Sequence, residues 1–212
     1  MSDQDKVSSR YDFWTPFYDI IDNIPVISGP QKRWKRSAVE ALDLDGSEKI
    51  LDIGTGTGEI LPWIAEQIES GTVIGTDISK KMIERTRNKI EKKDLNEKVK
   101  VVYDDIQNSR FPDDHFDRII ATFTFTTVPD PRKTAEECKR LLKKDGKMII
   151  LDTGKPENRL YLPLFVLMNF SAKVFGRTHM DRPIPKTISD HFNVEKKKTN
   201  MLGMVYQLIC KK

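Results

Sequence analysis

Residues 51–60 read LDIGTGTGEI, a short apolar run that opens into glycine at every second position: Gly54, Gly56 and Gly58. Glycine tolerates positive φ and lets a ligand lie against bare backbone at the start of a helix. Which ligand is decided by what the loop lacks. A dinucleotide-binding turn, G-x-G-x-x-G, would need another glycine at 59, where Glu59 stands, and the run G-x-x-x-x-G-K-[ST] of a P-loop does not occur. An anion at position 59 would disfavour a pyrophosphate. The loop suits a ligand that carries no phosphate there.

Outward from this loop, strand and helix patterns alternate. "KILDIG" (49–54) is an apolar run ending in glycine, and in "EILPWIAEQIES" Ile60, Ile64 and Ile68 recur every four residues on one helical face. "TVIGTD" (72–77) is a second strand, and Ser79 can cap the helix that carries Met82, Ile83 and Ile90. "VKVVYDD" (99–105) and "FDRIIATF" (116–123) follow as strands. Asp130-Pro131 reads as N-cap and first residue of a helix carrying Ala135, Cys138, Leu141 and Leu142, and "KMIILD" (147–152) is the fifth strand. Such alternation predicts an α/β fold with right-handed βαβ units and a doubly wound, mainly parallel sheet. After an apolar helix at about 157–176, "NVEKKKTNM" and "MVYQLICKK" turn around Gly203 and predict an antiparallel hairpin at the C-terminal end of the sheet. One domain over 1–212 is expected. Residues 1–45 are a helical lid or cap, with aromatic Tyr11, Trp14 and Tyr18 near its start, and 157–192 a variable insertion on the substrate side.

In open α/β sheets ligands bind beyond the carboxyl ends of the strands. Each of the first four strands places a suggestive group there: Asp52 with the glycines, Asp77, Asp105 and Thr122. Asp77, nineteen residues after Gly58, is placed to bind ribose hydroxyls, and an acid there disfavours a 2′-phosphate. Asp105 can accept from an exocyclic amine while the N–H of Ile106 donates to a ring nitrogen.

Composition narrows the partners. With 36 basic and 32 acidic residues the net charge is +4, a mild excess without the dense basic cluster of a nucleic-acid binder. Cys138 and Cys210 lie in apolar patterns and read as buried free thiols. The polar start "MSDQDKVSSR" carries no signal-peptide core, and "LYLPLFVLMNF" (160–170) is too short to span a bilayer, so a soluble, cytoplasmic protein is expected. Of the three histidines, His115, His179 and His191, only His179 stands in a loop that could approach a substrate, and no general base is assigned.

Together these segments resemble the class I S-adenosylmethionine-dependent methyltransferases. "LDIGTGTGEI" is similar to their first motif, "VIGTDISKKMI" to their second, and "VVYDDIQNSRFPDDHFDRIIATFTFTTVPDP" to the stretch with their third and fourth strands. The start "YDFWTPFYD", the segment "FPDDHFD" and "LDTGKPEN" resemble the ubiquinone/menaquinone C-methyltransferase group and related phosphatidylethanolamine-type N-methyltransferases. The resemblance implies a Rossmann-like seven-stranded sheet with the last strand antiparallel. It implies S-adenosyl-L-methionine as cofactor and S-adenosyl-L-homocysteine as product. Gly54, Thr55, Gly56, Thr57 and Gly58 would then pack under the methionine part, with Asp52 orienting the loop and the ammonium. Asp77 would hold the ribose, with Ile78 and Met82 against the adenine, and Asp105 and Ile106 would hold its edge. Thr122 would hold the methionine backbone, and Tyr11 or Tyr18 would close over the site.

The acceptor is less defined. The N/D-P-P-Y/F run of amide and adenine methylases is replaced by "TFTF", and neither cysteine is placed as in arsenite methylation. A small, lipophilic or quinone-like acceptor is the leading expectation. A protein or RNA acceptor and a non-catalytic cofactor-binding protein are the alternatives. The apolar helix with Arg159, Lys173 and Arg177 at its ends could line a lipophilic pocket, touch a membrane surface or simply cover the sheet. Oligomeric state is not legible.

Overall fold

The structure, a computed structural model, describes residues 25–173 and 178–212, with side chains from residue 29 onward. Tyr11, Trp14, Tyr18 and Arg177 lie outside the described residues.

Seven strands form one sheet: β1 (Lys49–Ile53), β2 (Thr72–Asp77), β3 (Val99–Tyr103), β4 (Phe116–Thr122), β5 (Leu142–Thr153), β6 (Asn193–Asn200) and β7 (Val205–Lys211). Their order is β3-β2-β1-β4-β5-β7-β6. β1 to β5 pair in parallel, while β7 runs antiparallel to both β5 and β6. The expected mainly parallel sheet with a C-terminal antiparallel hairpin is therefore present.

The strands are short continuous apolar runs because the sheet is covered on both faces. In β5 the alternation is visible: Met148 and Ile150 face one core, Ile149 and Leu151 the other. One face is covered by α1 (Pro25–Glu40), α2 (Leu61–Ala65) and α3 (Lys80–Lys92), through Ala38, Val39, Ile64, Ile83 and Ile90. The opposite face is covered by α4 (Pro131–Leu141) and α6 (Ile184–Ser189), through Ala135, Cys138, Ile184 and Ile188. Both free cysteines are buried, and burial pushes their thiols well up.

Local signals act as their chemistry requires. Ser79 accepts from Met82 N and caps α3; Asp130 accepts from Arg132 N and Lys133 N and caps α4. Two spans differ from expectation. The helix after the glycine loop covers only Leu61–Ala65, although Ile60, Ile64 and Ile68 are all buried as their spacing implied. The apolar segment forms a turn at Arg159–Tyr161 and then a ten-residue helix, α5 (Leu162–Ser171), because Pro163 favours a helix start there. Among the described residues no helix is long and apolar enough to cross a membrane.

Candidate functional site: a cavity at the switch point of the sheet

The chain leaves β1 toward β2 on one side and reaches β4 on the other, so strand order reverses between β1 and β4. The carboxyl ends of these two strands splay their following loops apart, which opens a crevice. A cavity of about 750 Å³ lies there.

Its floor is the glycine loop, whose three glycines all have positive φ, +64° at Gly54, +53° at Gly56 and +65° at Gly58. They do different jobs. A Cβ on Gly58 would stand 2.3 Å from Cγ2 of Thr86, and one on Gly54 2.7 Å from Cγ2 of Thr124, so these two let the loop close onto α3 and the β4 loop. A Cβ on Gly56 would meet nothing within 4 Å, because this residue faces open cavity. The loop is pinned from three sides. Gly56 N donates to Asp77 Oδ2 at 2.9 Å, Thr86 Oγ1 donates to Gly56 O at 2.7 Å, and Lys89 Nζ donates to Thr57 O.

The sequence-predicted residues converge. Gly54, Thr55, Gly56 and Thr57 line the cavity, as do Asp77, Ile78 and Met82 beyond β2. Asp105 and Ile106 line it beyond β3, and Thr122 beyond β4. Asp77 is oriented by Gly56 N and by Ser79 N, which donates to its Oδ1 at 2.8 Å. Asp105 accepts from Gln107 N at 3.0 Å and so caps the short turn that begins at Ile106. Gly58 and Asp52 lie beneath the lining. Asp52 is 1% exposed, accepts from Thr55 Oγ1 at 2.5 Å, and its Oδ1 is buried without a partner. Burial pushes its carboxyl up to about 7, against the opposing pull of the Thr55 hydroxyl and of Lys35. Asp52 is thus a buried acid poised to gain from a cation.

Several lining residues had no local signal. Helix α1 crosses the mouth with Gln31, Trp34 and Lys35. Lys35 Nζ pairs with Glu59 Oε2 at 2.5 Å and stands 6.0 Å from the ring centre of Phe123. Glu59 therefore has a structural partner: its charge is balanced, and it ties α1 over the loop. Phe123 itself has φ +58°, a costly conformation for an aromatic residue and a mark of a constrained site. Thr126 donates from N and Oγ1 to Asp152, at 3.1 and 2.6 Å, and burial pushes that acid up to about 6. The C-terminal part of the lining is mainly apolar: Met168, Ala172, Met180, Met201 and Val205, with Thr178 among them. His179, the histidine that its loop position singled out, bonds through its backbone N–H to Thr126 O, and no histidine appears among the described lining residues. No cluster of metal-ligating side chains occurs among the described residues either.

Residues 51–150 match the family described as "Methyltransferase domain". A demethylmenaquinone methyltransferase of Lactobacillus johnsonii is 32% identical over 169 residues, covering 76% of this chain and 68% of that protein. The chain belongs to the class I S-adenosylmethionine-dependent methyltransferases. A ubiquinone/menaquinone biosynthesis C-methyltransferase of Geotalea uraniireducens is 24% identical over 209 residues, 96% of this chain and 88% of that one. The structure of a SAM-dependent methyltransferase from Aquifex aeolicus superposes with a TM-score of 0.66 at 20% identity, over 99% of this chain and 98% of that one, a likeness of fold. In such a methyltransferase the cavity must seat an adenosyl group, an amino-acid tail and a methyl acceptor. The residues fit the first two: Gly56 leaves room against bare backbone, and Asp52 carries an unpaired buried oxygen below it.

Proposed function

We propose that this methyltransferase transfers the methyl group to a carbon of a small lipophilic acceptor of the quinol class. The observation that supports it most is the two-sided cavity: one wall of loops and carboxylates, the other of Met168, Ala172, Met180, Met201 and Val205. Methionine side chains adapt to irregular apolar surfaces, which suits a ring bearing a prenyl tail better than a charged peptide or nucleotide. The quinone-pathway names of the relatives agree with this reading.

On the cofactor side, Asp77 would bind the ribose diol, Ile78 and Met82 would pack on the adenine, and Asp105 with Ile106 would read its edge. Gly54 to Thr57 and Thr122 would cradle the amino-acid tail, with Gly58 closing the loop beneath them, and Asp52 would act on its ammonium through the loop. S-adenosylmethionine supplies a methyl group on a sulfonium, which a nucleophile takes by in-line displacement. What these residues contribute is alignment of the reacting atoms and exclusion of water, which lower the barrier of such a displacement most. A quinol-type ring carbon would become nucleophilic once its hydroxyl has lost a proton to solvent. The carbon–methyl bond would form as the sulfur–methyl bond breaks with its electron pair on sulfur. The ring proton at that carbon would then leave to solvent to restore the aromatic ring, so the chain needs chiefly to orient the ring. Asp152 accepts from Thr126 Oγ1 and from Thr153 N, and so fixes the backbone of both residues at the cavity wall.

The test is methyl transfer from radiolabelled S-adenosylmethionine, offered in parallel to a short-chain demethylmenaquinol, phosphatidylethanolamine and total protein. Label in the quinol alone, in a bond stable to acid and base, is the expected result. Label in lipid headgroup or protein, with none in the quinol, would refute the acceptor class.

A further inference from the structure

Apart from Tyr103, every exposed large apolar side chain among the described residues lies in two segments. One is the end of the insertion with helix α5, where Leu160, Leu162, Leu164, Val166, Leu167 and Phe170 are 40–76% exposed. The other is the turn between β6 and β7, where Met201 and Leu202 are 41% and 50% exposed. The segments are neighbours: a Cβ on Gly203 would stand 3.5 Å from Glu157 N, and Lys197 Nζ pairs with Glu157 Oε1 at 2.8 Å. Exposed apolar side chains gathered on two neighbouring segments mark an interaction site. Helix α5 buries Phe165 and packs Met168 against Met180 and Met204, yet it is apolar on its outer face as well.

Two further observations say what covers it. The turn is built at a cost: Met201 and Leu202 hold φ of +46° and +60°, where glycine or asparagine would sit without strain. Bulky apolar tips are kept where the backbone would prefer small or polar ones. Charge is the second. Residues 155–173 and 193–204 carry Lys155, Arg159, Lys173, Lys196, Lys197 and Lys198 against Glu157 and Glu195. That is six basic to two acidic, an excess equal to the net +4 of the entire chain. A second copy seated symmetrically on this face would bring like charge onto like charge. An apolar strip rimmed by lysine and arginine complements an anionic bilayer, into whose headgroup layer the strip dips.

We propose that α5 and the Met201–Leu202 turn form the surface by which this protein docks on anionic lipid membranes. The same two elements also supply Met168 and Met201 to the cavity wall, with Ala172 just past the end of α5, so the docked face is the wall a lipophilic acceptor must pass. Docking itself needs no acceptor, so this surface and the quinol reading fail separately.

The experiment is co-sedimentation of the full chain with phosphatidylcholine vesicles, alone or with about one-third phosphatidylglycerol, at two salt concentrations. The expected result is about tenfold or greater preference for the anionic vesicles, weakened by salt. The L167E/F170E variant, changed only at exposed positions outside the cavity, should lose about tenfold or more of that binding while keeping its circular dichroism and S-adenosylmethionine affinity. L202N, which suits its backbone, should lose about threefold. Absence of vesicle binding, equal binding to both vesicle types, or undiminished binding by L167E/F170E would overturn the proposal. So would a wild-type dimer that the variant dissociates without any lipid binding, which would assign the face to a second copy.

Discussion

The two walls of the cavity are held in opposite ways. On the glycine-loop side each bend of the backbone is fixed by buried polar contacts: Gly56 between Asp77 and Thr86, Thr124 Oγ1 donating to Ile53 O at 2.9 Å, Thr55 on Asp52. On the far side, α5 packs through a small cluster of Phe165, Met180 and Met204, and much of its apolar surface faces outward. Residues 178–182 are tied down by His179 N on Thr126 O, Met180 N on Asn169 Oδ1 and Arg182 on Val128 O. A wall fixed before the ligand arrives loses little further entropy on binding and can demand one shape. A wall of methionines on lightly anchored helix can accept a range of shapes. On the proposed reading, this difference would give selectivity for the cofactor and tolerance on the acceptor side.

The largest test of it lies within the glycine loop itself. Gly58→Ala forces both a left-handed alanine and a 2.3 Å contact with Thr86, and should cost about 2–4 kcal/mol of stability, a fall in Tm of roughly 5–15 °C. Gly56→Ala meets open cavity and should cost only about 1 kcal/mol. It should weaken S-adenosylmethionine binding instead, since its methyl occupies the cradle. Calorimetry and thermal melts separate the two. Equal melting losses would mean the loop is not packed as described.

A second pair of variants sets wall against wall. Asp77→Ala removes the proposed ribose ligand and frees Gly56 N, so cofactor affinity should fall by about 2–3 kcal/mol, some 30- to 150-fold. Met168→Ala on the opposite wall should leave that affinity unchanged and lower kcat/KM for a quinol acceptor about tenfold. If Met168→Ala weakened cofactor binding as well, the two walls would not be separable.

How much of this was legible in sequence follows the same division. The fixed wall is written in short-range patterns: strand, glycines, then an acid at each strand end, all within a few residues of an element boundary. Such patterns are local because backbone geometry at a strand end is local. Lys35 and Trp34 come from a helix whose own periodicity says only that it is amphipathic; that it crosses the cavity mouth is decided by tertiary packing, and the Lys35–Glu59 pair spans 24 positions. Glu59 accordingly reads from sequence as a repelling anion, when it is half of an ion pair. Met168, Met180 and Met201 sit in three separate segments and share no spacing. The exposed outer face of α5 was equally hidden, since an apolar run looks alike whether it is covered or bare.

The smallest change in cofactor affinity concerns Asp52, which belongs to neither wall but lies under both the loop and Lys35. Its carboxyl is raised to about 7 by burial, above the ordinary carboxylate range, so the folded state holds a proton that the unfolded chain releases. Stability from this group is therefore complete below pH ~4 and declines as pH rises through 7. Asp52→Asn should gain stability over wild type as pH climbs from 5 to 8, by on the order of 1–3 kcal/mol at the upper end. Cofactor binding should move the other way. An ammonium near the unpaired Oδ1 favours the ionised acid, so wild-type affinity should strengthen severalfold, about 1 kcal/mol, between pH 6 and 8. In Asp52→Asn that slope should vanish, and calorimetric titration at three pH values reads it directly. A slope that persists in the variant would detach Asp52 from the cofactor and leave it as a loop anchor for Thr55 alone.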